Sequence, residues 1–219
     1  MSGVSKRVWG GLWALAAFLS AGVAIYSYRF LTPHPMMGED IAANLMRKPW
    51  LPIHATLAAT ALLIGPFQFL ARLRARWPKV HRAIGKAYVA ACLTAAPAGF
   101  VLAMGSDAGP IAQSGFAVLA VLWFAATSYA FWLATQRRFV EHRRWMVRSF
   151  AMTFAAVTLR LYLPIPPMFL HMSFIEGYRV ISWFCWTSNL LVAEIFLNWT
   201  TLRGLFNRSA DTVLSVEAQ

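Results

Sequence analysis

A His-Arg dipeptide occurs twice in this chain, at His81-Arg82 and at His142-Arg143, each time in a basic segment that leads into a membrane-length apolar run. A neutral imidazole nitrogen is a ligand for haem iron, and the same ring can hydrogen-bond a quinone carbonyl or a lipid phosphate. Two such rings, at the same end of two helices running in the same direction, can face each other across a bundle. That is the geometry of a two-histidine cofactor site, and equally of two contacts to lipid headgroups. The order helix, basic loop, His-Arg, helix fills 50–104 and recurs over 113–168, with the histidines 61 positions apart. Units related in this way imply an axis along the membrane normal, so a parallel repeat of helices 2-3 and 4-5 is expected, with His81 and His142 at one depth.

A rise of about 1.5 Å per residue sorts the intramembrane polar groups into two layers. Gln68, His81, Tyr88, His142, Arg148 and Glu194 fall near the cytoplasmic face; His54, Arg160, Tyr162 and His171 fall near the outer face. A b-type haem needs imidazoles from two helices and cations near its propionates. His81 and His142 supply the first as candidate iron ligands, and Arg82, Lys86, Arg143, Arg144 and Arg148 supply the second. A quinone or headgroup site, or simple interfacial capping, uses the same residues. His54 with His171, near Arg160, forms a second, outer pair.

Glu194 lies among Leu190, Leu191, Val192, Ile195, Phe196 and Leu197, where an unpaired carboxylate would cost several kcal/mol. It needs a partner. Arg148, one turn into the fifth helix, matches its depth better than Arg160, about 15 Å nearer the outer face. The pair is read as an interhelical ion pair that fixes packing, with Glu194 as candidate proton carrier in the alternative reading. Arg160 stands about one turn before the prolines at 164, 166 and 167. It can snorkel outward or bind an anion, and the backbone groups freed by the prolines predict a wet pocket on that side.

These groups have to be positioned by a membrane fold. With 59% hydrophobic and 13% charged residues and a mean hydropathy of +0.54, the chain cannot cover a surface facing water. A hydrocarbon core of about 30 Å takes roughly 20 apolar residues per helix, and six runs qualify, at about 9–28, 50–71, 83–104, 113–134, 146–168 and 179–200. The expected fold is all-α: one six-helix transmembrane domain over 1–202, followed by a polar tail over 203–219 that should fray in the cytoplasm.

The net charge of +12 would point to nucleic acid in a soluble protein, but its distribution here is topological. With the N-terminus inside, fifteen Lys and Arg fall on the inner side and four on the outer, Arg160 lying within a helix. That bias predicts both termini in the cytoplasm. It also puts the basic segments 72–86 and 137–148 against anionic headgroups, so the partner is the lipid bilayer and not nucleic acid. The first apolar run is too long for a signal peptide and ends in Tyr28-Arg29 without a small-residue cleavage site, so it is read as retained. Cys92 and Cys185 fall in apolar helix interiors and read as small core residues. Paired Cys-x-x-Cys, His-Glu-x-x-His, a Gly-rich phosphate loop and a Gly-x-Ser-x-Gly elbow are absent, which leaves gene-regulatory and nucleotide-driven functions without a basis.

Five segments agree in order with a known pattern. Gly65-Pro-Phe-Gln-Phe69, His81-Arg-Ala-Ile-Gly-Lys-Ala-Tyr88, His142-Arg-Arg-Trp-Met-Val-Arg148, Thr158-Leu-Arg-Leu-Tyr-Leu-Pro164 and Trp186-Thr-Ser-Asn-Leu-Leu-Val-Ala-Glu194 together resemble the bacterial membrane proteins of domain of unknown function 2306, over about residues 50–196. The resemblance implies a multi-pass protein of the bacterial inner membrane. It marks His54, His81, His142, Arg148, Arg160, Asn189 and Glu194 as positions matching the family's pattern. The reading is thus a membrane redox-type protein binding haem b or quinone through the inner histidines. The alternatives are a small-solute or proton-coupled transporter with a pocket lined by Glu194, Arg148 and Gln68, and a scaffold subunit without a ligand.

Overall fold

Proline is favoured in the first turn of a helix, where its missing N–H is not needed and its fixed φ suits the start. Pro78 and Pro110 open the two longest helices in this way. A capping box opens the last one: the Ser173 hydroxyl accepts from the Glu176 backbone N–H at 3.4 Å, and the Glu176 carboxylate accepts from the Ser173 N–H at 2.9 Å. The computed structural model describes residues 3–31 and 49–199, with side chains from residue 10. Most of the external loop and the tail expected over 203–219 lie outside the described residues.

The elements, in order, are α1 (Gly3–Ser27), α2 (Trp50–Ile64), α3 (Ala71–Arg76), α4 (Pro78–Met104), α5 (Pro110–Thr135), α6 (Phe139–Thr153), α7 (Ala155–Tyr162), α8 (Ile165–Phe169) and α9 (Phe174–Leu197), with 3-10 turns at Tyr28–Leu31 and Pro66–Phe69. There is no strand among the described residues. Six helical stretches are long and apolar enough to cross a membrane: Gly10–Leu31, Trp50–Phe69, Pro78–Met104, Pro110–Thr135, Phe139–Phe169 and Phe174–Leu197. The six-helix expectation holds, and the even count returns the chain to the side on which it entered.

Hydropathy places the third and fifth runs at 83 and 146, whereas the helices begin at Pro78 and Phe139. Lys, Arg and Glu are good helix formers, so the helix continues out of the hydrocarbon through residues that hydropathy reads as loop. His81 and His142 therefore stand inside first turns, not ahead of them. At about 1.5 Å per residue α4 is roughly 40 Å long, more than the hydrocarbon core of about 30 Å, so its ends reach the headgroup layers.

Alanine builds the packed faces: Ala55, Ala59 and Ala61 on α2, Ala91, Ala95, Ala96 and Ala98 on α4, and Ala120, Ala126 and Ala130 on α5 are all buried. Lipid is as apolar as leucine, so helices in a membrane associate through close van der Waals contact, which small residues allow. At Gly99 an added Cβ would come within 2.8 Å of the His54 ring, and at Gly115 within 2.6 Å of Ser182 Oγ.

The fifth span is broken at Phe154, not only at the prolines. α6 stops at Thr153 and α7 starts at Ala155, with a tight bond from the Val157 N–H to the Phe154 carbonyl at 2.9 Å. Polar groups of α9 support the break. The Asn189 side-chain amide donates to the Ala151 carbonyl at 3.0 Å and to the Thr158 hydroxyl at 3.1 Å, while Thr158 donates to the Cys185 carbonyl at 2.6 Å. Irregular backbone at membrane depth persists only where protein satisfies it. Asn189→Ala should accordingly lower the unfolding free energy in detergent by about 1 kcal/mol, measured by chemical denaturation. An unchanged midpoint would show that the break is set by its own segment alone.

Candidate functional site

The inner site is laid out by two helices with the same spacing. His81, Gly85, Tyr88 and Cys92 follow one another at i, i+4, i+7 and i+11 along α4, and His142, Met146, Ser149 and Thr153 do the same along α6. Residues at these intervals share one face of a helix. α5 alone separates the two spans, so they run in the same direction. Matched positions meet: the Tyr88 hydroxyl lies 3.0 Å from the Ser149 hydroxyl, 61 residues away. His81 and His142 have the same separation and are electrostatic neighbours, with Arg74 also acting on His81. The structure thus brings the two predicted histidines to the mouth of one polar column.

Their ring nitrogens are not all committed to protein. His142 Nδ1 is 2.7 Å from the Ala130 carbonyl of α5; a carbonyl only accepts, so Nδ1 carries the hydrogen and Nε2 keeps its lone pair. A histidine that ligates a metal is commonly oriented in this manner by its other nitrogen. His81 Nδ1 is buried and has no hydrogen-bond partner, and the same is true of the Gln68 Nε2 amide. Gln68 is buried, and its Oε1 is 3.2 Å from the point where a Cβ on Gly85 would stand. The missing side chain at 85 therefore makes room for the amide one turn from His81.

Below this layer lies a buried network that the sequence reading missed beyond Tyr88 itself. The Tyr88 hydroxyl is 2.8 Å from Thr153 Oγ1, the Trp123 indole N–H donates to Thr153 at 2.9 Å, and Thr127 Oγ1 is 2.7 Å from Ser149 Oγ. The Thr127 hydroxyl donates to the Trp123 carbonyl at 2.8 Å, so Ser149 donates to Thr127; Thr153 donates to the Ser149 carbonyl at 3.0 Å, and the Tyr88 hydrogen serves one of Ser149 and Thr153. Cys92 is fully buried beside these groups, so its expectation as a small core residue holds, as it does for buried Cys185. The signal that finds the network is the shared spacing, since Tyr88 and Ser149 each follow a first-turn histidine by seven residues.

Glu194 is not deep in hydrocarbon, as its apolar neighbours imply, but in the last turn of α9, with 41% of its side chain accessible. Its partner is Arg148, bidentate at 2.5 Å and 3.0 Å. Asn198 adds a bond to the carboxylate at 3.1 Å, and the Arg148 guanidinium stacks over Trp145 at 4.8 Å. Both carboxylate oxygens are thus occupied. Gln68 makes no hydrogen bond to this pair among the contacts described.

The outer layer is dispersed. His54 Nδ1 bonds the Ala95 carbonyl at 2.9 Å, against Gly99, which fixes it to α4. His171 is exposed in the turn before α9 with φ 51°, and Tyr162 meets Ser188 at 3.3 Å. Arg160 donates to Ser27 on α1 at 3.1 Å and to the Ala156 carbonyl of its own helix at 2.7 Å. No cluster of three or more His, Cys, Asp or Glu suited to a metal ion occurs among the described residues.

Comparison with known proteins gives one result. The family described as "Predicted membrane protein (DUF2306)" matches residues 51–197, and the chain belongs to it. No curated protein and no solved structure matches.

Proposed function

We propose that this six-span membrane protein is a redox protein of the bacterial cytoplasmic membrane that holds one b-type haem at its inner face, with His81 and His142 as the two iron ligands. One observation carries the reading. Two imidazoles stand at matching first-turn positions of two parallel helices, near each other, each with ring nitrogen capacity that no protein group uses. Bound there, the haem would supply one-electron transfer. The chain's own part is orientation and charge: the Ala130 carbonyl fixes the His142 tautomer, and the cations of the segments 72–86 and 137–148, Arg74 among them, would face the propionates and the anionic headgroups.

A second reading rests on Gln68. Its buried, unpartnered amide nitrogen is a donor, and with Gln68 Oε1 against Gly85, one turn from His81, the side chain suits the carbonyl oxygen of a quinone headgroup. A transporter reading has less support, because Glu194 is held in a bidentate pair.

The test is the visible spectrum of the protein purified from haem-replete cells and reduced with dithionite. A b-type alpha band is expected, lost in both His81→Ala and His142→Ala with the helical circular dichroism unchanged. Absence of the band in the wild-type protein overturns the haem assignment and leaves the quinone reading, which a Gln68→Leu-sensitive quinone titration then examines.

A further inference from the structure

The first two turns of α9, at the end of the bundle opposite the basic segments, carry Glu176 and Arg179. Side chains three residues apart on a helix are neighbours, and an acid and a base so placed can pair. These two act on each other electrostatically, yet no ion pair joins them, because each is drawn elsewhere. Glu176 Oε2 accepts from the Ser173 N–H at 2.9 Å and from the Ser173 hydroxyl at 2.7 Å, while the Arg179 Nε–H donates across to the Ala108 carbonyl, just ahead of α5, at 2.6 Å. Glu176 Oε1 and both terminal nitrogens of Arg179 make no hydrogen bond among the described residues. One anion and one cation thus stand side by side, balanced in charge, each with hydrogen-bonding capacity left over.

Both line the outer end of a groove of about 440 Å³ between α5 and α9, within the range of about 300–1,000 Å³ usual for small-molecule sites. Deeper, its walls are Val180, Trp183, Phe184 and Thr187, with Ile111 facing them from α5. The polar groups of these walls are spent: the Trp183 indole N–H donates to the Ile111 carbonyl at 3.1 Å, and the Thr187 hydroxyl donates to the Trp183 carbonyl at 2.8 Å. Thr187 lies eight residues past Arg179, about 12 Å further into the membrane. The groove therefore runs from two opposite charges at headgroup depth into hydrocarbon. A smaller groove of about 210 Å³ beside Phe100 and Val121 has apolar walls only, so it offers nothing to a headgroup.

We propose that the α5–α9 groove holds one outer-leaflet phosphatidylethanolamine, with its phosphate on Arg179, its ammonium on Glu176 and an acyl chain along the α9 wall. A guanidinium suits two phosphate oxygens at once, and a primary ammonium brings N–H donors to a carboxylate. A phosphocholine head carries the same charges without those donors, and a phosphoglycerol head has no cation to meet Glu176. The site is independent of the inner histidines.

The experiment follows the circular-dichroism melting of the delipidated full chain in detergent, with phosphatidylethanolamine, phosphatidylcholine or phosphatidylglycerol of identical acyl chains added to the micelles. Phosphatidylethanolamine is expected to raise the midpoint by about 3–5 °C more than phosphatidylcholine does. Glu176→Gln keeps the capping box, which accepts glutamine, and should abolish that preference. Val180→Trp should abolish it too, by filling the groove at a position 57% exposed, where a larger side chain is accommodated. Equal responses to phosphatidylethanolamine and phosphatidylcholine overturn the proposal, as does a preference that survives either variant. A response to phosphatidylglycerol alone also overturns it, since the protein would then be reading net negative charge.

Discussion

Thr153→Val is expected to lower the unfolding free energy by about 2 kcal/mol, although the two side chains have nearly the same shape. Thr153 Oγ1 serves two neighbouring hydrogen-bonding groups at once, the Trp123 indole at 2.9 Å and the Tyr88 hydroxyl at 2.8 Å. Valine offers neither an acceptor. Tyr88 keeps Ser149 at 3.0 Å, but the Trp123 N–H is left buried without a partner. A buried orphaned donor costs about 1–3 kcal/mol, whereas interhelical bonds in membranes average only about 0.6 kcal/mol, because the unfolded chain finds other partners. The orphan decides the size here, since Trp123 is 5% exposed and closed in by α4 and α6. Thr94→Val is the control: Thr94 is exposed and bonds only its own helix at 3.0 Å, so its loss should be close to zero. Denaturation curves of both variants in one detergent make the comparison. Equal costs at 153 and 94 would show that the buried network does not stabilise the bundle.

Glu194→Gln should cost about 1–2 kcal/mol, less than the 3–5 kcal/mol typical of breaking a fully buried ion pair. The reduction follows from position. The pair is not fully enclosed, with Arg148 20% and Glu194 41% accessible, and Glu194 lies in the last turn of α9, so the charge left behind can reach toward the headgroup layer. The bidentate geometry and the Asn198 bond keep it above the value of an ordinary surface pair. Arg148→Gln alone should cost somewhat more, since it also removes the stacking over Trp145. In the Glu194→Gln, Arg148→Gln protein, two amides can hydrogen-bond and neither charge is stranded, so the combined loss should fall well short of the sum. Strict additivity in this double-mutant cycle would rule out direct coupling between the two side chains.

Much of the architecture was legible before any coordinates, because a membrane imposes a one-dimensional rule. Backbone groups must be satisfied within each span, so six apolar runs of sufficient length are six helices, as found. The pairing of Glu194 with Arg148 was legible for the same reason: depth follows from residue count along a rigid rise, and opposite charges at one depth seek each other. Both histidines of the inner layer were found by their repeated flank. The ends of helices were harder to read. Hydropathy marks where hydrocarbon stops, and the helix does not stop there, which is why His81 and His142 lie inside first turns and Glu194 in a last turn.

The sequence by itself determined the number of spans, the pairing of Glu194 with Arg148 and the family to which the chain belongs. What only the tertiary structure decided is rotation about each helix axis and the identity of the neighbour across it. Depth alone would let His54 pair with His171, but rotation turns His54 onto the Ala95 carbonyl and leaves His171 in a turn. Depth also gives no reason for Ser149, Thr153, Thr127 and Trp123 to form one network, since isolated serines and threonines in a membrane helix commonly bond back to their own carbonyls. Which of them reach across depends on the meeting of three helical faces. That is a property of packing, set by side-chain volumes on every helix at once, and no single segment of the chain encodes it.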